Sequence, residues 1–148
     1  MTFMEQALAL AREAADEGEV PVGAVVTRGN EVIARARNET LSRADPTAHA
    51  EILAIRRAGA ALGSQRLVGC ALHVTLEPCA MCAAAISFAR IERLHFGAQD
   101  PKGGAVLHGP RFYAQPTCHH APDVYGGIAE TEAAALLRAF FEARRSAG

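Results

Sequence analysis

The sequence lacks a marked excess of either charge. Lysine and arginine number 15 against 16 aspartate and glutamate residues, which gives a formal net charge of −1. This balance does not indicate a protein that binds nucleic acid through a globally basic surface, so any contact with RNA has to come from a local patch. Half of the residues are hydrophobic, and this excludes a disordered or collagen-like chain.

Long apolar segments are also missing. No apolar run approaches the roughly 18 residues that a membrane span needs, and the N-terminus shows no charged-then-apolar leader. Proline and glycine are spread along the chain, no internal repeat is visible, and 148 residues suit one domain with a real core. We therefore predict a single domain over residues 1–148, located in the cytoplasm and not bound to a membrane.

Hydrophobic periodicity predicts an alternation of helices and strands. The predicted helices cover residues 2–17, 45–61, 79–89 and 129–145, and the predicted strands cover 20–26, 32–36, 71–76 and 91–96. Asp45 is expected to cap the second helix, with Pro46 in its first turn. Residues 97–127 are rich in turn residues and are predicted to be loop. This order favours an α/β fold with a mixed sheet that is covered on both faces.

Two short stretches carry side chains with metal and proton chemistry. They are residues 48–51 (Ala-His-Ala-Glu) and 77–82 (Glu-Pro-Cys-Ala-Met-Cys), and both fall at predicted helix starts. One imidazole and two thiols are the protein ligands of a catalytic zinc site with an open fourth position. The candidate ligands are His49, Cys79 and Cys82. Glu51 is the spare carboxylate that can move the proton of a water at the open position.

The spacing of these side chains sets a condition on the second helix. Cys79 and Cys82 are three residues apart and share a helix face, and a helix N-terminus favours the thiolate form that zinc needs. His49 and Glu51, by contrast, point in nearly opposite directions on a regular helix, because each residue turns by about 100°. Both can face one metal only if the helix has barely started at His49.

A Cys-x-x-Cys pair by itself leaves other interpretations open. A structural zinc site needs a fourth protein ligand, for which residues 118–120 (Cys-His-His) are the only dense candidate. A thioredoxin-like redox pair normally lies near the first strand–helix turn, whereas this pair follows several elements. The combination of His-x-Glu, a strand and Pro-Cys-x-x-Cys is more specific than its parts, and it is the established signature of zinc nucleobase deaminases.

Four segments resemble the bacterial tRNA-specific adenosine deaminases. They are residues 19–25 (EVPVGAV), 45–51 (DPTAHAE), 74–82 (VTLEPCAMC) and 96–102 (FGAQDPK), and the similarity continues into the tail at 140–145. The resemblance implies a cytidine-deaminase-like three-layer α/β/α fold with a central mixed sheet of about five strands. It also implies a homodimer with one Zn²⁺ per subunit, which converts adenosine to inosine at the wobble position of a tRNA anticodon, mainly that of an arginine tRNA.

The resemblance also implies roles for individual residues. His49, Cys79 and Cys82 would hold the zinc, and Glu51 would take the proton of the water and pass it to the base. By position, the substrate contacts would be Asn38 to the flipped base, Asp100 and Lys102 along the anticodon, and Phe141 to the neighbouring nucleotides. Further candidates for phosphate or stacking contacts are Arg111, Phe112, Tyr113, Arg138, Arg144 and Arg145.

Residues 105–122 depart from the best-known pattern of these enzymes, so no RNA contact is carried over to that segment. The roles of Cys70, Cys118, His119 and His120 stay open. Two other functions are also open. A deaminase of a free base or nucleoside, such as guanine or cytosine, would share the zinc site. A zinc-stabilised binding module without turnover would have no use for Glu51, because a structural site fills its fourth position with protein.

Overall fold

The computed structural model describes residues 1–147 and shows a five-stranded mixed sheet between two layers of helices. The elements are α1 (Phe3–Asp16), β1 (Gly23–Arg28), β2 (Glu31–Arg37), α2 (Ala50–Leu62), β3 (Cys70–Leu76), α3 (Ala80–Phe88), β4 (Arg93–Ala98), β5 (Asp123–Tyr125) and α4 (Glu130–Ala147). A short 3₁₀ turn covers Phe112–Ala114. The predicted three-layer α/β/α architecture is confirmed.

The strand order brings several chain segments to one edge of the sheet. The order is β2-β1-β3-β4-β5, with β1 antiparallel to both of its neighbours and β3, β4 and β5 parallel to one another. Gly23 at the start of β1 therefore pairs with Arg37 at the end of β2, and Leu76 at the end of β3 pairs with Ala98 at the end of β4. We call this edge, where β2, β3 and β4 end and β1 begins, the site edge.

Each face of the sheet carries its own core. The larger core lies under α2 and α3 and includes Leu53, Ile86, Leu72 and Phe96. The smaller one lies under α1 and α4 and is built around Leu8, Val25 and Ala133. Burial of both sheet faces explains why the central strands are apolar almost throughout instead of alternating with polar residues. Among the described residues, no helix is both long and apolar enough to cross a membrane.

Two predicted boundaries differ from the structure by three residues or more. Asp45 does not cap α2, because that helix begins at Ala50, and the Asp45 carboxylate instead accepts bonds from the Thr47 N–H (2.9 Å) and hydroxyl (2.7 Å). The first strand begins at Gly23 and not at residue 20, since the Val22 N–H closes a tight turn onto the Val20 carbonyl (2.9 Å).

The structure contains a fifth strand that the sequence pattern does not predict. Asp123–Tyr125 lies inside the segment that was predicted to be loop, and it pairs with β4 from Arg93 to His95. Three residues on the edge of a sheet, two of them exposed, leave no hydrophobic alternation to detect. The sheet of about five strands that the family resemblance implied is confirmed.

Gly23 allows α1 to lie directly on β1. A β-carbon at this position would collide with the carbonyl oxygen of Ala7 and lie 2.8 Å from the backbone nitrogen of Ala11. Overpacking of this kind costs about 1–3 kcal/mol, so we expect Gly23→Ala to lower the free energy of unfolding by about that amount in a urea titration. Gly59→Ala is the matched control: its β-carbon meets one atom, the Ser64 carbonyl oxygen at 3.2 Å, in the interior of α2. Equal unfolding free energies of the two variants would contradict the close α1–β1 contact.

Candidate active site

The two chemical stretches lie at the starts of neighbouring helices. His49 is the N-cap residue of α2 and Cys79 is the N-cap residue of α3, and both have extended backbones (φ −69°, ψ 151° and φ −72°, ψ 177°). His49 therefore stands just outside the helix while Glu51 lies in its first turn. The helix begins only at Ala50, so the turn of about 100° per residue does not apply at His49. The side chains of His49 and Glu51 can therefore face the same metal ion, as the His-x-Glu spacing requires.

Three potential ligand atoms converge between these helix starts. The His49 Nδ1 atom lies 3.6 Å from the Cys79 Sγ and 3.5 Å from the Cys82 Sγ, and the three atoms lie within 4.8 Å of one another. A tetrahedral zinc ion with bonds of about 2.3 Å to sulfur and 2.0 Å to nitrogen separates such atoms by about 3.6 Å. The spacing thus fits a zinc ion. In the part of the chain that the structure describes, no other set of His, Cys, Asp and Glu side chains converges in this way.

The protonation of the two thiols also suits a cation. The bond from Cys82, together with that from His49, holds the pKa of Cys79 well below its usual range. The neighbouring Cys79 sulfur and burial raise the pKa of Cys82. Two buried thiolates side by side repel each other. A divalent cation removes that cost, which is the electrostatic property expected of a metal site.

Glu51 is a buried carboxyl group beside the three ligand atoms. It is only 4% exposed, and burial raises its pKa, although its own backbone N–H and His49 act in the opposite direction. A carboxyl group with a raised pKa can both take and return a proton near neutral pH. Glu51 does not belong to the converging ligand set. Its position beside the three ligand atoms, but outside their set, suits proton transfer and not metal binding.

His49, Glu51 and Cys79 line a cavity of about 280 Å³ at the site edge, which we call the base pocket. Its walls include Val20, Val22 and Leu76. Asn38 also lines it and is 7% exposed. The Asn38 Nδ2 donates to the Val20 carbonyl (3.4 Å), while its Oδ1 has no hydrogen-bond partner among the described residues. A buried acceptor without a partner is costly, so this oxygen is suited to a donor on a ligand.

A wider groove of about 740 Å³ adjoins the base pocket, and Asp100 and Gly103 line both. The other residues of this groove that matter here are Lys102, Arg138, Phe141 and Arg145. Phe141 is 43% exposed, and the three cations come from the β4–β5 connection and from α4. The structure therefore brings the four residues that the resemblance implied as substrate contacts, Asn38, Asp100, Lys102 and Phe141, to one continuous cleft.

Three other candidates for RNA contact make contacts within the fold. Tyr113 is mostly buried against α3, its hydroxyl donates to the Ala83 carbonyl (2.9 Å), and burial raises its pKa. Phe112 packs edge-on against Tyr113 with ring centroids 5.8 Å apart. The Arg144 guanidinium lies over the Phe140 ring at 4.8 Å and donates to the Gly18 carbonyl (3.2 Å). Stacking of Tyr113 on a base is thus not supported.

The one cysteine and two histidines of residues 118–120 do not belong to the converging set of ligand atoms. The Cys118 Sγ lies 3.7 Å from the Ser87 Oγ, and the His120 Nε2 lies 2.7 Å from the Ile91 carbonyl oxygen. These contacts fasten the segment to α3 and to the start of β4. The alternative of a structural zinc site with four protein ligands is therefore not supported. Cys70 is buried in the larger core.

Two buried glutamates near the base pocket were not identified as functional from the sequence. Glu19 is 1% exposed and accepts bonds from the N–H groups of Leu41 (3.0 Å) and Ser42 (2.8 Å), in the connection that leads from β2 to α2. Burial alone would raise its pKa, but these bonds hold the pKa below the usual value. Glu77 makes similar bonds on the other side of the pocket. Their partners lie far away in sequence, so spacing alone could not reveal them.

Known proteins with a similar sequence and fold include deaminases. Residues 1–144 match the MafB19-like deaminase family. A protein of Agrobacterium fabrum named tRNA-specific adenosine deaminase is 63% identical over 97% of this chain and 94% of its own length. A solved structure from a study of A-to-I editing by tRNA:A34 deaminases at the wobble position of transfer RNA is 64% identical, with a TM-score of 0.90 over 91% of this chain and 98% of that one.

A more distant likeness is to a free-base deaminase. The structure of guanine deaminase from Bacillus subtilis is 32% identical, with a TM-score of 0.67 over 95% of this chain and 92% of that one. The much higher identity and TM-score to the tRNA deaminases confirm the resemblance read from the sequence. With its His-Cys-Cys ligand set, buried glutamate and near-complete coverage by these relatives, the chain belongs to the deaminases, in the family of the bacterial tRNA-specific adenosine deaminases.

Proposed function

We propose that this protein hydrolyses adenosine to inosine at the wobble position of a tRNA anticodon, with one Zn²⁺ per subunit held by His49, Cys79 and Cys82. The observation that carries the proposal is the convergence of the three ligand atoms at zinc-like spacing beside the unliganded carboxyl group of Glu51. The names of the relatives supply the substrate class. We further propose that residues 1–148 act as one catalytic domain in the cytoplasm, with an arginine tRNA as the main substrate.

The reaction replaces the exocyclic amine of the base with a carbonyl. Zinc, when bound, acts as a Lewis acid and lowers the pKa of a bound water to roughly 7. Glu51 takes a proton from the attacking water and delivers it to ring nitrogen N1, and a further transfer through Glu51 protonates the leaving amine. The water oxygen forms a bond to C6, the C6–N6 bond breaks, and adenosine plus water gives inosine plus ammonia.

The cleft supports a base presented by single-stranded RNA. The free Oδ1 of Asn38 is placed to accept a hydrogen bond from an N–H or O–H group of the nucleoside in the base pocket. In the groove, Lys102, Arg138 and Arg145 are placed to contact phosphates, and Phe141 offers an exposed ring for stacking. An anticodon loop supplies unstacked bases at low cost, because they need not be extruded from a duplex.

A homodimer, as the resemblance implies, is part of the proposal. Val68 and Phe88 are each 72% exposed, and they stand on adjoining segments, because the Leu67 N–H donates to the Ala89 carbonyl (2.7 Å). Such neighbouring exposed apolar side chains suit a subunit interface. Light scattering of the purified protein is expected to give twice the chain mass of 15.6 kDa. A monomer at micromolar concentration that still deaminates RNA would contradict this part of the proposal.

Glu51→Gln tests the proton transfer separately from the metal. The amide keeps the shape but cannot carry a proton, so we expect the rate of inosine formation to fall by about 10²–10⁴-fold. The zinc content, measured by mass spectrometry, is expected to stay near one ion per chain, whereas Cys79→Ala is expected to lose the metal. Glu31→Gln, an exposed carboxylate at the start of β2, is the matched control. Unchanged activity of Glu51→Gln would exclude the role given to Glu51.

The substrate class is tested by incubating the protein separately with RNA, with free nucleosides and with a free base. An anticodon stem-loop of an arginine tRNA with a wobble adenosine is expected to yield inosine, while free adenosine, cytidine and guanine stay unchanged. Guanine is the informative comparison, because a guanine deaminase shares the fold at 32% identity. Xanthine from guanine without inosine from the stem-loop would preserve the site chemistry and overturn the substrate. No turnover of any substrate by the zinc-loaded protein would favour a binding module.

A further inference from the structure

Glu77 is a buried carboxylate that accepts five hydrogen bonds from a single stretch of chain. Its Oε1 accepts from the Asp100 N–H (3.0 Å) and pairs with the His108 Nδ1 (2.8 Å). Its Oε2 accepts from the N–H groups of Val106 (3.2 Å), Leu107 (2.9 Å) and His108 (3.2 Å). The side chain has no exposed surface. Bonds to an ionised acceptor are roughly twice as strong as those between neutral groups.

The stretch that Glu77 holds has little structure of its own. Residues 99–111, which connect β4 to the 3₁₀ turn, contain no helix or strand. Within it, the Asp100 Oδ1 accepts from the N–H groups of Lys102 (3.2 Å) and Gly103 (2.9 Å), and the Ala105 N–H donates to the Pro78 carbonyl (2.9 Å). The Gly104 N–H also donates to the Asp100 carbonyl (2.8 Å), the Phe112 N–H donates to the Ala105 carbonyl (2.7 Å), and Ala105 and Val106 are buried in the larger core. Glu77 adds the five bonds that hold both ends of the segment 100–108.

The anchored segment borders both the base pocket and the groove. Asp100 and Gly103 line the two cavities, and Lys102 lines the groove. Glu77 itself stands two residues before Cys79, yet it lies outside the converging ligand set, and both of its oxygens are occupied by the segment. Glu77 therefore connects the segment 100–108, which borders both cavities, to the turn that carries Cys79.

Gly104 provides an independent sign of how closely the segment fits over this carboxylate. A β-carbon at Gly104 would lie 2.5 Å from the Glu77 Oε2 and 2.5 Å from the Asp100 carbonyl oxygen. Even the smallest side chain would therefore push the segment away from Glu77. The observed conformation of the segment therefore requires both the hydrogen bonds to the Glu77 carboxylate and the absence of a side chain at residue 104.

We propose that Glu77 is a positioning residue for RNA binding, whose buried carboxylate fixes the segment 100–108 in the conformation that presents Asp100, Lys102 and Gly103 to the substrate. The inference rests on the proposed function, since it assigns the segment to RNA. Glu77 acts through the segment and does not touch the reacting atoms, in contrast to Glu51. It therefore sets the affinity for RNA and not the rate of the chemical step.

Two variants test the proposal, because each breaks the contact in a different way. Glu77→Gln replaces one acceptor oxygen with an NH₂ group, which has to face donors of the segment. Gly104→Ala leaves the carboxylate intact and displaces the segment sterically. For each variant we expect the KM for the stem-loop to rise about tenfold or more, while kcat at saturating RNA changes by less than about twofold and the zinc content is unchanged. Glu92→Gln, an exposed carboxylate at the opposite end of β4, is the control.

Hydrogen exchange measured without RNA separates this inference from the proposed function. In both variants we expect the amide protons of residues 106–108 to exchange about tenfold faster or more, while those of β3 keep their protection. If the wild type makes no inosine from RNA, the proposed function fails, and this exchange result still decides whether Glu77 orders the segment. A fall in kcat at unchanged KM, loss of zinc, unaltered exchange, or unfolding of both variants would each overturn the assignment. If Glu77→Gln alone unfolds, Gly104→Ala decides the outcome.

Discussion

The site depends on one geometric constraint, that two helices begin next to each other at the same edge of the sheet. His49 and Cys79 both occupy N-cap positions, where the chain is still extended and side chains are free to turn towards each other. The parallel pairing of β3 with β4 and the antiparallel hairpin of β1 and β2 bring the necessary strand ends to that edge. Without this convergence, an imidazole and two thiols separated by 30 and 33 positions could not approach one another.

Two buried glutamates, Glu51 and Glu77, line the base pocket, and a third, Glu19, lies next to its lining residue Val20. Their surroundings give the three side chains different chemistry. All three are almost fully buried, and burial by itself raises the pKa of each. Glu19 and Glu77 remain readily ionised because backbone N–H groups from neighbouring loops bond to their oxygens. Glu51 has fewer such donors, so burial prevails and its pKa is raised. The number of N–H groups that reach each carboxylate thus separates the two that hold loops in place from the one that can exchange a proton.

Local sequence was sufficient for the metal site and most elements, but not for contacts between distant segments. The candidate ligands His49, Cys79 and Cys82, which the structure brings together, could be named because their types and short spacings are themselves the signal. The Asp45–Pro46 helix start was misjudged because a capping aspartate and an aspartate that closes a turn look alike in sequence. The partners of Glu77 lie 23 to 31 positions away, and neither the packing of Tyr113 nor the short strand β5 leaves a periodic pattern. Such features arise only once the sheet has brought those segments together.

Charge is unevenly distributed between the two adjoining cavities. Among the described residues that line the base pocket there are three acidic residues and no lysine or arginine, whereas the groove has one acidic residue, the shared Asp100, beside Lys102, Arg138 and Arg145. An uncharged base can enter the first cavity, while the phosphates that flank it are attracted to the second. Salt cations compete with the lysine and arginine side chains of the groove for the phosphates, but they have little access to a buried carboxyl group such as that of Glu51. For the proposed reaction, ionic strength would therefore act on how often and how long the RNA is held, and would leave the making and breaking of bonds at the base nearly untouched.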